Sequence, residues 1–152
     1  MKWIQNYDKP LSMNIRSFDT RDTDAVIALW QSCDLTRPWN NPRLDIQRKC
    51  AVDDDLFLVC DINGVITGSV MAGYEGHRGW INYLAVAPES RKSGLGKQLM
   101  LEVESRLLAR GCPKINLQVR HGNDAVIAFY EAIGFSDDKC ISMGKRLIPD
   151  DR

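Results

Sequence analysis

The chain predicts an α/β domain built on a mixed β-sheet, and three observations carry that expectation. Short apolar runs alternate with stretches whose apolar residues return every three to four positions. Asn63-Gly64 joins two of the runs directly, which is a type I′ hairpin signal. Between 80 and 120 an amphipathic segment of helical length separates two further runs, which requires a right-handed parallel crossover. The element order is β-α-α-β-β-β-α-β-α-β, hairpins early and crossovers late, so parallel and antiparallel neighbours share one sheet.

Residues 1–12 are polar and mixed, and Met13-Asn-Ile-Arg16 directly precedes the first strand. An N-terminal tail over 1–12 and a domain over 13–152 are expected. The first strand is expected over 14–18. Val26, Leu29, Trp30 and Cys33 recur at i, i+3, i+4 and i+7, marking the buried face of a helix that begins near Thr20 or Asp22. After a loop over 34–40, Asn41-Pro42 supplies the N-cap and first residue of a second helix reaching Val52. Asp53-Asp54-Asp55 reads as its solvated end. Strands follow over 56–62, 65–74 and, past a turn at 75–79, over 80–87. Leu95, Leu99, Val103 and Leu107, widened by Met100 and Leu108, define a helix over 95–109 that stops at Gly111. Ile115, Leu117 and Val119 alternate in a strand over 114–120. Asn123 caps a helix with Val126, Phe129, Tyr130 and Ile133 on one face, Gly134 ends it, and a last strand is expected over 142–148.

A chain of 152 residues, 44% of them hydrophobic, suits one domain with a real core. The 20 basic residues balance 20 acidic ones, which argues against nucleic acid as a partner. No apolar run approaches the ~20 residues of a membrane helix, so no membrane partner is expected. Lys2 and Lys9 flank a polar segment and not an apolar secretory core, so the expected location is cytoplasmic. Cys33, Cys50, Cys60, Cys112 and Cys140 are odd in number, scattered and without a Cys-x-x-Cys pair. Reduced, mostly buried thiols are expected, with neither disulfides nor a metal site.

The most informative stretch is 80–96, an apolar strand ending at Pro88, a turn rich in Arg, Ser and Gly, and a helix opening near Leu95. That order presents free backbone N–H groups, a positive helix end and cationic side chains to one point, which suits a diphosphate. A Walker loop is excluded, because Arg91 stands where its first Gly belongs and Gln98 follows Lys97. A dinucleotide fingerprint is excluded, because Leu99 stands at its third Gly. What remains is Arg91-x-x-Gly94-x-Gly96 after a strand. A second motif follows at 117–135, Leu-Gln-Val-Arg-His-Gly-Asn-Asp-Ala-Val-Ile-Ala-Phe-Tyr-Glu-Ala-Ile-Gly-Phe.

The first motif resembles the coenzyme A pyrophosphate loop of the GNAT superfamily of N-acetyltransferases. The second resembles that superfamily's Asn…Phe-Tyr-Glu-x-x-Gly-Phe signature. The resemblance spans 13–148 and is nearest to small bacterial members of the YpeA type and, more distantly, to ribosomal-protein alanine acetyltransferases. It implies a GNAT fold: a mixed, mostly antiparallel sheet with a splayed central parallel strand pair, flanked by about four helices. It also implies acetyl-CoA as cosubstrate, no metal, and an amine acceptor, either a small molecule or a protein amine. Many such proteins are homodimers. Carried over by position, backbone groups at Leu84, Ala85 and Val86 would pair with the pantetheine arm. Arg91, Lys92, Ser93, Gly94, Leu95 and Gly96 would cradle the pyrophosphate, with Lys97 adding charge. Asn123 would bond the pantetheine, and Tyr130 would sit near the thioester sulfur.

Acyl transfer to an amine requires a neutral amine, a donor for the oxyanion and a proton for the leaving thiolate. The resemblance assigns the oxyanion donor to a backbone N–H near Val86 and the acid to Tyr130. By spacing alone Tyr130 is a core residue of its helix face. For the base, Gln118 stands where the alanine acetyltransferases have glutamate and cannot serve. Glu75, ending the third strand, is the substitute, and a water relay is the alternative. His77 in the same turn reads as exposed, and His121 lies nearer the cofactor side. On the acceptor side, Arg37 and Trp39 in the loop over 34–40 could cover a substrate. The competing function is an acyl-CoA-binding module of the same fold, used for sensing or interaction, with little transferase activity; Gln118 is the residue that supports it.

Overall fold

In the computed structural model the described residues are 13–150. The expected tail over 1–12 lies outside them. The elements are β1 (Met13–Ser17), a 3₁₀ turn (Thr20–Asp22), α1 (Thr23–Ser32), α2 (Pro42–Val52), β2 (Phe57–Ile62), β3 (Val65–Tyr74), β4 (Gly79–Val86), a second 3₁₀ turn (Pro88–Ser90), α3 (Leu95–Ala109), β5 (Ile115–Leu117) and α4 (Asp124–Ala132). They form one sheet in the order β1-β2-β3-β4-β5, antiparallel except for the parallel pair β4–β5. The mixed, mostly antiparallel α/β fold is the one expected, except that the parallel pair β4–β5 lies at the edge of the sheet and not at its centre.

Local chemistry explains most boundaries. Asn41 accepts hydrogen bonds from the N–H groups of Arg43 and Leu44, capping α2 behind Pro42. Asn63 and Gly64 both take positive φ, 52° and 84°, as a type I′ turn requires. Asp22 accepts the N–H of Asp19 and receives both guanidinium nitrogens of Arg16, at 2.8 and 3.0 Å, which fixes the joint between β1 and α1. The Asp53–Asp55 run is less solvated than the sequence suggests. Asp54 pairs with Lys49 at 2.6 Å and Asp55 with Arg110 at 2.6 Å.

The core has two layers. On one face of the sheet, Leu95, Leu99, Met100, Val103 and Leu107 of α3 pack on Leu58, Cys60, Val70 and Ile81. On the other, Val26, Leu29 and Trp30 of α1 pack on Phe57, Val59, Met71 and Ala85. Leu99 and Val103 are wholly buried, and truncating a leucine of this kind costs about 2–5 kcal/mol. All five cysteines are free; Cys60 and Cys112 are buried, but Cys50 and Cys140 are exposed, contrary to the expectation of mostly buried thiols. None of the described helices is long and apolar enough to cross a membrane.

Two expectations about the C-terminal third fail. The strand expected over 114–120 forms only at Ile115–Leu117, and the strand expected over 142–148 does not form. Residues 136–150 instead run irregularly past the open edge of β5 to α2. The segment is held by side chains: Asp138 by Lys114 and Asn116, Ser142 by Gln118, and Asp150 by Arg48 and the N–H of Asn41. Gly144 and the charged pair Lys145-Arg146 interrupt any alternation, so no single face could be buried against a neighbouring strand.

Candidate active site

The site begins with an irregularity in β4. Ser69 faces Ala85 and Met71 faces Asn82, so β4 carries an extra residue at 83–84, and Tyr83 takes φ 52° to accommodate it. Three side chains hold this bulge. Trp30 donates its indole N–H to Ser69 Oγ at 2.9 Å, and Ser69 donates to the Tyr83 carbonyl at 3.1 Å. The Trp30 ring also stacks on Tyr83 with centroids 3.8 Å apart. The Tyr83 hydroxyl donates to Asp45 at 2.7 Å, and burial with the adjacent carboxylate keeps that hydroxyl protonated well above its usual range.

The bulge separates β4 from β5. Their parallel pairing covers Gly79–Ile115, Trp80–Asn116 and Ile81–Leu117 and then stops. Ala87 gives its N–H to Thr67 across β3, at 2.8 Å. Alternation along the strand therefore turns the N–H of Val86 the other way, into the gap where β5 does not pair. Leu84, Ala85 and Val86 thus form one wall of an opening along which β5 does not pair with β4.

The glycine-rich turn follows directly. Gly94 takes φ 80° and Lys92 φ 64°, so successive N–H groups curl toward one side before α3 begins. The first turn of α3 has no side-chain cap and no acidic residue; it carries Lys97 instead, a cation at the positive end of a helix. Among the described residues neither Lys92 nor Lys97 has an ion-pair partner. Arg91 reaches back to the Val86 carbonyl at 3.3 Å, and Ser93 donates to the Ser90 carbonyl at 2.5 Å. A concentration of donors and of lysines that pair with no carboxylate among the described residues fits a pyrophosphate. Gly96 is needed for close approach: a Cβ there would sit 3.2 Å from Phe129 Cζ and 3.7 Å from Val86 Cγ2. Through that contact α4, α3 and the end of β4 meet.

Tyr130 follows Phe129 on α4. Its ring is buried edge-on between Phe129 and Phe135, with centroids 5.1 and 5.5 Å away. Burial pushes its hydroxyl up to about 12, so it is a protonated donor at neutral pH. Among the described residues that hydroxyl has no hydrogen-bond partner. Asn123 occupies the N-cap of α4, but its side chain makes no capping bond and is exposed, free for another partner.

The structure does not bring Glu75 to these groups. It sits in the turn before Gly79, at the far end of β4, roughly 20 Å of strand from Val86. Its carboxylate accepts the N–H of Arg78 at 2.5 Å and of His77 at 2.8 Å, which holds it below the usual carboxylate range and makes it a poor base. His77 and His121 are both exposed. Gln118, one residue beyond β5, donates to Ser142.

Sequence reasoning did not find Trp30, Ser69 and Tyr83, which hold the bulge, or Cys33, whose thiol donates to the Val86 carbonyl at 3.3 Å. Nothing local marks a tyrosine for a left-handed position; the signal is a tertiary ring contact. Nor did it find the groove beside the gap. Trp39, from the loop after α1, lies under the Arg120 guanidinium at 5.8 Å from the ring centroid. It shares a groove of about 700 Å³ with Arg48 and residues 144–148. Arg37, the other loop residue expected to cover a substrate, instead folds back on the Asp34 and Thr36 carbonyls, at 2.8 and 3.0 Å.

Comparison with known proteins shows the family and the fold. The family described as acetyltransferase (GNAT) matches residues 24–135. An acetyltransferase of Pectobacterium atrosepticum is 54% identical over 138 residues, covering 91% of this chain and 98% of the relative. Among solved structures, Ard1 from Thermoplasma volcanium superposes with a TM-score of 0.74 at 26% identity, covering 82% of each chain. The aminoglycoside N-acetyltransferase AAC(6')-Iy, solved with CoA, gives 0.72 at 17% identity, covering 93% of this chain and 99% of the other, which shows a shared fold.

Proposed function

The chain belongs to the acetyltransferase (GNAT) family and is an N-acetyltransferase, and we propose that it moves an acetyl group from acetyl-CoA to a primary amine by direct attack in a ternary complex. The observation that carries this reading is the gap between β4 and β5. It sets an unpaired Val86 N–H beside an anion-ready turn, and the Gly96–Phe129 contact brings the helix of Tyr130 to the same place.

In this reading the N–H groups at 92–96 and the side chains of Arg91, Lys92 and Lys97 hold the diphosphate. The open edge of β4 at 84–86 aligns the pantetheine as an added strand would, and Asn123 bonds it from the other side. The Val86 N–H faces the carbonyl oxygen as it gains negative charge, where a fixed donor is worth most. Tyr130 returns a proton to the departing thiolate. The acceptor must arrive neutral, although an α-amine titrates near 8 and a lysine amine above 10. With Glu75 capped by backbone N–H groups, a water chain in the gap takes that proton.

Thermal unfolding with acetyl-CoA, using NADH and ATP as controls, tests the cofactor. At about 100 times its dissociation constant a ligand adds about 2.7 kcal/mol, a rise of several degrees for a domain of this size. A rise specific to acetyl-CoA, followed by CoA release with an amine, supports the reading. No rise at millimolar acetyl-CoA overturns it.

A further inference from the structure

From the groove beside the gap we infer that the acceptor is a primary amine that also carries an anionic group, a carboxylate or a phosphate; this rests on the N-acetyl transfer reading above. The groove is bounded by Trp39, Arg48, Lys145, Arg146, Leu147 and Ile148. No aspartate or glutamate among the described residues lines it, and three of these six side chains are cations.

The positive charge is only partly neutralised. Asp150, its side chain fully buried behind the groove, accepts from Arg48 at 2.8 Å and lies 3.6 Å from Arg146, while Asp45 takes a second contact with Arg48 at 3.3 Å. Lys145 has no partner among the described residues, and Arg120, poised over Trp39, makes no ion pair there. One pair of acids thus positions two arginines, and two further cations stand free around the same groove. Arg146 also donates to Asn40 Oδ1 and the Ile148 carbonyl, so a polycation entering the groove would meet like charge, whereas an anionic group would meet Lys145 with the Trp39 ring beside it.

Three contacts tie residues of the groove to the elements around the gap. Arg120, stacked on Trp39, lies three residues beyond Leu117, the last residue of β5 paired with β4. Gln118 ties Ser142, two residues before the groove wall begins, to the same end of β5. Tyr83 in the β4 bulge holds Asp45, which holds Arg48. An acceptor lying in the groove would therefore have its anionic end at Lys145 and its amine toward the gap where Val86 presents its N–H.

Two readouts test this, the first of them separate from turnover. In the first, O-phosphoethanolamine, L-glutamate, ethanolamine and spermidine are titrated against tryptophan fluorescence, with Trp39→Phe identifying the responding ring. The two anionic amines should give a saturable Trp39 signal, ethanolamine and spermidine none, and Lys145→Glu should weaken the anionic response by about tenfold or more. Lys145→Ala, truncating an exposed side chain, controls for a folding defect and should weaken it less. In the second, CoA release from acetyl-CoA should favour the anionic amines in kcat/KM by about tenfold or more, with the preference lost in Lys145→Glu. If spermidine or ethanolamine is the better acceptor, or Lys145→Glu leaves the ratio unchanged, the anionic-acceptor inference is overturned and amine acetylation stands. If the anionic amines bind at Trp39 but no amine releases CoA, the transfer reading fails and the groove's ligand class stands.

Discussion

The two sides of β4 are built on different terms. The side proposed for the cofactor is made of backbone: a left-handed Gly94, the uncapped start of α3 and the Val86 N–H left over where β5 stops pairing. The groove proposed for the acceptor is made of side chains from distant segments: Trp39 after α1, Arg48 on α2, Lys145 and Arg146 near the end. A site made of backbone tolerates only glycine or small changes at a few positions and presents one ligand geometry. A site made of exposed side chains can change its ligand by changing a charge. On this comparison a common cosubstrate and a distinctive acceptor follow from the same fold.

The largest break expected is at Gly96. Gly96→Val places branched carbons where even a Cβ would lie 3.2 Å from Phe129. It should abolish the acetyl-CoA thermal shift altogether while far-UV circular dichroism stays native. If the shift persists, the turn at 91–96 is not the diphosphate site. Next is Tyr130→Phe, which removes one hydroxyl from a buried ring. It should lower kcat by about 10²-fold or more, with acetyl-CoA affinity within about twofold of wild type. A kcat near wild type removes Tyr130 as the acid. The pH profile sharpens this point. With Tyr130 raised to about 12 and no carboxylate base, kcat/KM should climb through the acceptor's own amine titration and show no falling limb below pH 10. A falling limb near neutrality would mean that another acid does the work.

A smaller effect concerns the bulge that opens the gap. Ser69→Ala leaves the Trp30 N–H and the Tyr83 carbonyl without a buried partner, and should cost about 1–3 kcal/mol, read as a lower midpoint in urea. Because Ser69 touches neither substrate, KM for acetyl-CoA should rise only if the bulge also relaxes. An unchanged midpoint would show that the stacked Trp30 ring alone suffices to hold Tyr83.

What the sequence revealed follows the same division. Helix α3 falls on the residues its periodicity marks, 95–109, and the turn before it was readable because glycine spacing and a helix start are local signals. The Asn63-Gly64 hairpin was readable for the same reason. The Tyr83 bulge was not, because its cause is a ring 53 residues earlier in the chain, Trp30, and a serine 14 residues away. The strand over 142–148 was misread because apolar Met143, Leu147 and Ile148 suggested β structure. Strand formation depends on a neighbour to pair with, and the β5 edge offers only three residues. Met143 and Leu147 instead remain 91% and 83% exposed. The charged pair at 145–146 was the available warning, and it proved to be groove wall.

The smallest expected effect tests whether the two sides also differ in how they are held. Asp22, at the joint of β1 and α1, is depressed below the ordinary carboxylate range chiefly by Arg16; Asp150, at the end of the acceptor wall, is depressed chiefly by Arg48. A carboxylate with a lowered folded pKa binds fewer protons folded than unfolded, so its stabilisation is complete above an unfolded value near 3.9 and is lost as pH falls through the folded value. Asp22→Asn should therefore be less stable than wild type at pH 7 by urea unfolding, and the difference should shrink below pH 4. Asp150→Asn should behave otherwise. Asp150 accepts the Asn41 N–H, so its loss should speed hydrogen exchange at that amide at pH 7 and lower the global midpoint less than Asp22→Asn does. If Asp150→Asn lowers the global midpoint as far as Asp22→Asn does, the acceptor wall is part of the cooperative core. The distinction between a rigid backbone-built side and an adjustable side-chain-built side would then fail.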